Sequence, residues 1–80
     1  MKNYNPHLKK VILEVVENQL RDNDPPETQQ TLDRLLAAGY SRKRAMEMIG
    51  SAVAEEIWTV LRQEKPFDRK RYKAALDKLK

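Results

Sequence analysis

The sequence predicts a small all-α fold, an irregular antiparallel four-helix bundle with a long, central third helix. Apolar residues recur at helical spacing in four separate segments. Residues that favour helix ends stand at the boundaries of those segments. The chain has two glycines, no cysteine and 35% charged residues, a composition typical of helix-rich globular proteins. We therefore predict one domain over residues 1–80, with helices at about 6–22, 25–38, 42–63 and 69–79.

The first helix is predicted from its start and its apolar face. Asn5 can cap the helix, and Pro6 suits its first position. One face then carries apolar side chains, namely Leu8, Val11, Ile12, Val15, Val16 and Leu20. Gln19 falls within that face, so we expect one polar side chain on the inward side of this helix.

The second helix and the corner after it carry the clearest end signals. Asp24 is expected to cap the second helix, with Glu27 completing a capping box. Leu32, Leu35 and Leu36 are predicted to face inward. Gly39 is the expected left-handed residue at the helix end, and Tyr40 is placed to fold back on the last turn, as in a Schellman motif. Ser41 is predicted to cap the third helix, so the corner should be tight.

The third helix has apolar residues over a wide arc, which predicts burial on more than one side. These residues are Ala45, Met46, Ile49, Ala52, Val53, Ile57, Val60 and Leu61. Gly50 costs about 1 kcal/mol relative to alanine inside a helix, so we expect another backbone to pass close to it. Glu56 lies within the arc. A buried carboxylate needs a partner, and Gln19, Tyr72 or a basic side chain could supply one.

The fourth helix is short. Pro66 ends the preceding segment, and Asp68 is predicted to cap the new helix. Its inward residues are expected to be Tyr72, Ala75, Leu76 and Leu79.

Few residues could carry catalytic chemistry. The absence of cysteine excludes disulfides, thiolate metal ligands and a cysteine nucleophile. His7 is the sole histidine and should be solvated at the start of the first helix, and neither Ser41 nor Ser51 has a histidine placed to activate it. We predict no enzymatic activity and no cofactor. No signal peptide or membrane span is evident, so we expect a cytoplasmic protein that binds no membrane.

Two basic segments raise the possibility of nucleic-acid binding. The net charge is +4, and the candidate contacts are Arg42, Lys43 and Arg44 at the start of helix three and Arg69, Lys70 and Arg71 in helix four. The corner before Arg42 could belong to a helix-turn-helix. However, its third helix is long for a recognition helix, and twelve acidic residues dilute the charge. Nucleic-acid binding is therefore an alternative and not the leading hypothesis.

The same corner also resembles a ubiquitin-associated-type hairpin. The resemblance lies in Gly39, Tyr40 and Ser41, with Ala45 following. The methionine usual before that glycine is missing, and the third helix is too long. Peptide docking at this corner is a further alternative, while a plain helical corner explains the same residues.

Three apolar residues at the edges of the predicted arcs suggest an interaction surface. Leu13, Met48 and Trp58 fall where a helix face passes from core to solvent. Such residues are typical of protein contacts. The leading hypothesis is a non-catalytic module that binds a protein partner or a second copy of itself.

Short motifs along nearly the whole chain resemble a bacterial family of helical proteins catalogued only as a domain of unknown function. The motifs are Asn5-Pro6-x-Leu8, Glu17-x-Gln19, Asp24-Pro25-Pro26, Arg34-Leu35-Leu36, Glu56-Ile57-Trp58 and Tyr72-x-x-x-Leu76. In that family the block is often the C-terminal part of a longer protein. The resemblance implies a helical domain of the same kind.

The resemblance also implies a site that this chain has altered. The family carries histidines at the positions of Lys9 and Leu13, an acidic residue at Glu17, and a histidine near Glu47. Residues four apart share a helix face, so such a set could hold a metal ion with help from a second helix. The strip of Lys9, Leu13 and Glu17 cannot hold a transition metal, and Glu17 with Glu47 could attract a hard cation only weakly. We therefore predict no metal here, and treat Glu17, Gln19, Glu47 and Glu56 as a candidate polar or degenerate small-ligand site.

Overall fold

The computed structural model describes residues 6–80, with side chains from His7 onward. Within this range the chain forms α1 (Pro6–Asp22), α2 (Pro26–Ala37), α3 (Arg42–Gln63) and α4 (Arg69–Asp77) and contains no strand. The predicted all-α bundle is confirmed. The predicted bounds differ from these by two residues or fewer, within the usual fraying of helix ends. The predicted cap at Asn5 lies outside the described residues.

The third helix is the centre of the fold, as predicted, because it packs against each of the other three. α2 also contacts α1 and α4, whereas the backbones of α1 and α4 are not in contact in the described part of the chain. The buried apolar side chains are Ile12, Val16, Leu32, Leu35, Ala45, Met46, Ile49, Ala52, Val53, Tyr72 and Leu76. All four helices contribute to this core.

The corner between α2 and α3 confirms the local predictions. Gly39 has φ of +102°, and its N–H donates to the carbonyl of Leu36 at 3.0 Å. The N–H of Tyr40 donates to the carbonyl of Leu35 at 3.1 Å, which completes a Schellman motif. The hydroxyl of Ser41 accepts from the N–H of Arg44. Local chemistry alone fixes this corner.

The start of α2 corrects one prediction. Asp24 does not cap the helix, because Pro25 occupies the cap position and makes no side-chain cap hydrogen bond. Pro26 has no N–H to satisfy, and the N–H of Thr28 donates to the carbonyl of Pro25. The carboxylate of Glu27 accepts from its own backbone N–H, which lowers its pKa and takes over part of the capping.

Five apolar residues predicted to face inward are exposed. They are Leu8 and Val11 in α1, Leu36 in α2, and Ile57 and Leu61 in α3. Periodicity places a residue on a helix face, but it does not say how far the neighbouring helices extend along that face. The buried residues of α3 end at Glu56, so the last two turns of this helix project beyond the core.

Gly50 has a close neighbour, although not the backbone that was predicted. A Cβ atom at this position would lie 3.3 Å from Cγ2 of Ile12 and 3.6 Å from Cδ2 of Leu13. The glycine therefore lets side chains of α1 approach α3 closely. The N-terminal half of α3 lies beside Lys9, Leu13 and Glu17 of α1. Its C-terminal half lies beside Val15 and Gln19 of α1. The two helices therefore cross near Gly50.

Candidate functional site

A hydrogen-bonded group of three side chains connects α1, α2 and α4. The Oε1 atom of Gln19 accepts from the hydroxyl of Thr28 at 2.7 Å and from that of Tyr72 at 2.9 Å. The two hydroxyl oxygens lie 3.3 Å apart. Tyr72 is 1% exposed, and its burial raises the pKa of its phenol. Gln19 is therefore a structural bridge across the space between α1 and α4.

Glu56 is held by a bidentate ion pair. It is 3% exposed, and its oxygens accept from Nε of Arg71 at 2.9 Å and from Nη2 of Arg71 at 2.7 Å. The N–H of Asp68 donates to the same carboxylate at 3.0 Å. The hydrogen bond from Arg71 holds the pKa of Glu56 below its ordinary value, against the opposing effect of burial. Of the three partners that the sequence allows for Glu56, namely Gln19, Tyr72 or a basic side chain, the structure has the basic side chain.

An apolar groove lies over these two polar groups. It has a volume of about 290 Å³ and opens to solvent between α1 and α4. Its lining consists of Val15, Gln19, Val53, Glu56, Ile57, Val60, Leu61, Phe67 and Tyr72. The polar oxygens of Glu56 and Gln19 are already occupied, since no buried side-chain nitrogen or oxygen among the described residues lacks a partner. The groove therefore offers an apolar surface.

Large apolar side chains continue from the groove onto the surface of the protein. We call four of these residues the apolar face: Ile57 (43% exposed), Trp58 (59%), Leu61 (69%) and Phe67 (53%). The ring of Phe67 packs against that of Tyr72 with centroids 5.7 Å apart. The guanidinium of Arg62 lies 5.9 Å from the ring of Trp58, so it covers this ring only in part.

The apolar face continues toward α1. Leu8 and Val11 are exposed, and they share a side of α1 with Val15, which lines the groove. Of the seven exposed large hydrophobic residues in the described chain, four form the apolar face. Such a concentration is typical of a binding surface, whereas scattered exposed residues are ordinary.

The three residues predicted to mark an interaction surface lie in different surroundings. Trp58 belongs to the apolar face. Leu13 and Met48 are half-buried and pack against the core. Of these three, Trp58 alone presents a large exposed apolar area.

The positions singled out by the family resemblance do come together, on the opposite side of α1. Lys9, Leu13, Glu17 and Glu47 line one shallow hollow. Nζ of Lys9 lies 3.1 Å from the carboxylate of Glu47, and this hydrogen bond lowers the pKa of Glu47. Glu17 lies 4.0 Å from Arg42. No group of three or more metal-ligating side chains occurs among residues 7–80, so the hollow holds ion pairs between its own side chains.

Most of the basic residues considered for nucleic-acid binding are paired with acidic side chains. Arg69 forms a two-pronged contact with Glu27, and Arg71 does so with Glu56. The ion pair of Arg42 with Glu17 and that of Arg44 with Glu47 are longer, at 4.0 and 3.8 Å. In the described chain only Lys43 and Lys70 of the six candidates form no ion pair within 4.0 Å. Pairing of this kind reduces the charge available for phosphate.

Four residues of the groove and its support do not follow from the sequence. Ile57 and Leu61 were assigned to the core because their spacing is helical, and Phe67 lies in the linker between helices. The sequence does not point to Thr28, since a single threonine in a polar segment carries no signal of burial. Phe67 beside Pro66 was the available sign, because a large aromatic residue in a short linker has to lie against a neighbouring surface.

No protein-family model, curated protein or solved structure matches the chain. The resemblance to a bacterial helical family therefore stays a prediction. Among the described residues no helix combines the length and the apolar character needed to cross a bilayer.

Proposed function

We propose that this chain is a non-catalytic interaction module whose docking surface is the apolar face with its groove. The observation that supports it is that Ile57, Leu61 and Phe67 line one groove and are largely exposed, with the exposed Trp58 next to Ile57 on α3. With on the order of 200 Å² per large side chain, their exposed fractions correspond to roughly 450 Å² of apolar area. The largest apolar patch on a typical monomer is roughly 300–600 Å², and patches of this size are often functional.

The shape of the site favours a protein partner over a small molecule. Small-ligand sites usually enclose about 300–1,000 Å³ and bury most of the ligand. The groove, at about 290 Å³ and open along one side, is smaller than most of these. Trp58 and Leu61 extend the apolar area beyond it. An apolar stripe on a helix of the partner fits such a surface, because two or three of its side chains can enter the groove.

The surrounding chemistry favours binding without catalysis. The carboxylate of Glu56 is neutralised by Arg71, and the oxygen of Gln19 is occupied by two hydroxyls. Neither group is available to act as a general base or nucleophile. The lack of cysteine suits the reducing cytoplasm, where we place the protein. If the bacterial family resemblance is correct, its members would share this scaffold.

A labelled amphipathic peptide tests the proposal. The probe is a fluorescein-labelled helix with leucines at i, i+3, i+4 and i+7 and equal numbers of Glu and Lys on its other face. We expect a saturable rise in anisotropy with the wild-type chain. Leu61→Glu should weaken binding about tenfold or more, since it places a charge on the docking surface.

Leu36→Glu is the matched control, because Leu36 is another exposed leucine that lies outside the apolar face. This variant should bind the peptide like the wild type, and circular dichroism should show equal helix content in all three proteins. No binding by the wild type, or equal binding by both variants, would contradict the proposal.

A further inference from the structure

We infer that the partner that covers the apolar face is a second copy of this chain, bound so that the same face of each copy meets the other. This inference rests on the proposed function and adds the identity of the occupant. In such a two-fold pair each residue contact occurs twice, so the surface has to be complementary to itself.

The area of the apolar face matches what a stable dimer needs. A standard interface buries about 800 Å² per partner, of which about 56–65% is apolar, or roughly 450–520 Å². The four exposed side chains supply roughly 450 Å². Leu8 and Val11 are exposed on the side of α1 that carries Val15, a residue of the groove.

The arrangement of the face also suits a second copy. Ile57 and Leu61 form one wall of the groove, and the exposed Trp58 stands next to them on the same helix. A projecting ring beside an open hollow allows Trp58 of each copy to approach the groove of the other. Aromatic side chains that enter apolar pockets supply much of the binding free energy at such interfaces.

The charges beside the face also suit a second copy. Four charged residues adjoin the apolar face along the chain, namely Glu55, Arg62, Glu64 and Lys65. None of them forms an ion pair among the described residues. Two are acidic and two basic, so this margin carries no net charge although the whole chain carries +4. A strongly acidic or basic partner would be matched by a margin of one sign. A margin with both signs is compatible with itself.

Sedimentation equilibrium from micromolar to millimolar concentration tests the inference. We expect the wild type to pass from monomer to dimer as concentration rises. Leu61→Glu should raise the dimer dissociation constant about tenfold or more. Leu36→Glu should leave it unchanged, because it places the same charge on a leucine of α2.

Cross-linking then locates the interface, since the natural chain has no cysteine. Lys65→Cys, beside the apolar face, should give a covalent dimer with a short bis-maleimide. Lys43→Cys, an exposed lysine at the opposite end of α3, should give none. An unchanged dimer dissociation constant in Leu61→Glu, or equal cross-linking from both cysteines, would overturn the inference.

The outcomes separate the two proposals. A wild-type chain that stays monomeric at all concentrations overturns the second copy as partner. If the labelled helix still binds to that monomer and Leu61→Glu weakens this binding, the proposed function stands with another partner. If neither the second copy nor the helix binds, both proposals fail.

Discussion

Glu56 is the residue of α3 that holds the start of α4 in place. Its carboxylate fixes Arg71 and the N–H of Asp68, the residue that caps α4. Glu56→Gln keeps the shape but loses the charge-assisted hydrogen bonds. We expect a loss of about 1–3 kcal/mol in the free energy of unfolding, measured by urea denaturation. Glu14→Gln, on the exposed side of α1, should change it little, and an equal loss in both variants would contradict this role.

The same pair makes stability depend on pH. Folding lowers the pKa of Glu56, so its contribution is present at pH values above the ordinary glutamate range. It is lost as the pH falls through the lowered pKa, because the carboxylate then binds a proton in the folded state too. The difference in unfolding free energy between wild type and Glu56→Gln should therefore shrink in acid. A difference that stays constant from neutral to acid pH would show that the charge of Glu56 does not matter.

The hydroxyl of Tyr72 gives a second prediction for a single residue. Tyr72→Phe removes the donor to Gln19 and leaves the buried ring in place. We expect a loss of about 0.5–1.5 kcal/mol in unfolding free energy, measured by denaturant titration. Thr28→Val should be non-additive with it, because both hydroxyls bond to the same oxygen of Gln19. Full additivity would mean that the three side chains do not act together.

Glu56, Ser41 and Asp68 show which contacts the sequence predicts and which it does not. The need of Glu56 for a partner follows from helix periodicity and the cost of a buried charge. The choice of Arg71 does not follow, because it depends on how the linker around Pro66 returns α4 to α3. The caps at Ser41 and Asp68 were predictable because their partners lie two or three residues away.

Among the elements, the α2–α3 corner is the most dependent on one backbone conformation. Gly39 has a positive φ, and no atom lies within 4 Å of a Cβ built there. Gly39→Ala should therefore cost about 1 kcal/mol through backbone strain alone. At Gly50→Ala the gain of about 1 kcal/mol in helix propensity opposes the tight contact with Ile12, so a smaller change is expected. Thermal denaturation of both variants checks the contrast, and equal losses would contradict it.

The exposure of the last turns of α3 shows where prediction by element fails. The apolar arc of α3 was read as burial within the chain over its whole length. The structure buries the first part, up to Glu56, and leaves Ile57 and Leu61 open. A sequence pattern indicates that a helix face is apolar, but it does not show which molecule covers that face. The two misassigned residues of α3, Ile57 and Leu61, thus belong to the proposed docking surface.

On the scale of the whole molecule, the core is small for the surface it has to support. A chain of this size buries only about 60–65% of the surface of its unfolded state, so its stability should be modest. The four residues of the apolar face keep 43–69% of their surface exposed, and this exposed area adds nothing to the stability of the single chain. Covering them in a dimer would remove that apolar area from water and couple association to folding.

This coupling predicts that the melting temperature depends on protein concentration. If dissociation accompanies unfolding, each tenfold rise in concentration adds about 1.4 kcal/mol per dimer. For chains of about this length that corresponds to a rise of about 3–5 °C in Tm. Leu61→Glu should melt at a lower temperature that depends less on concentration, whereas Leu36→Glu should follow the wild type. A wild-type Tm that is constant over a hundredfold range would mean that the folded chain is stable alone, with its apolar face left for a different partner.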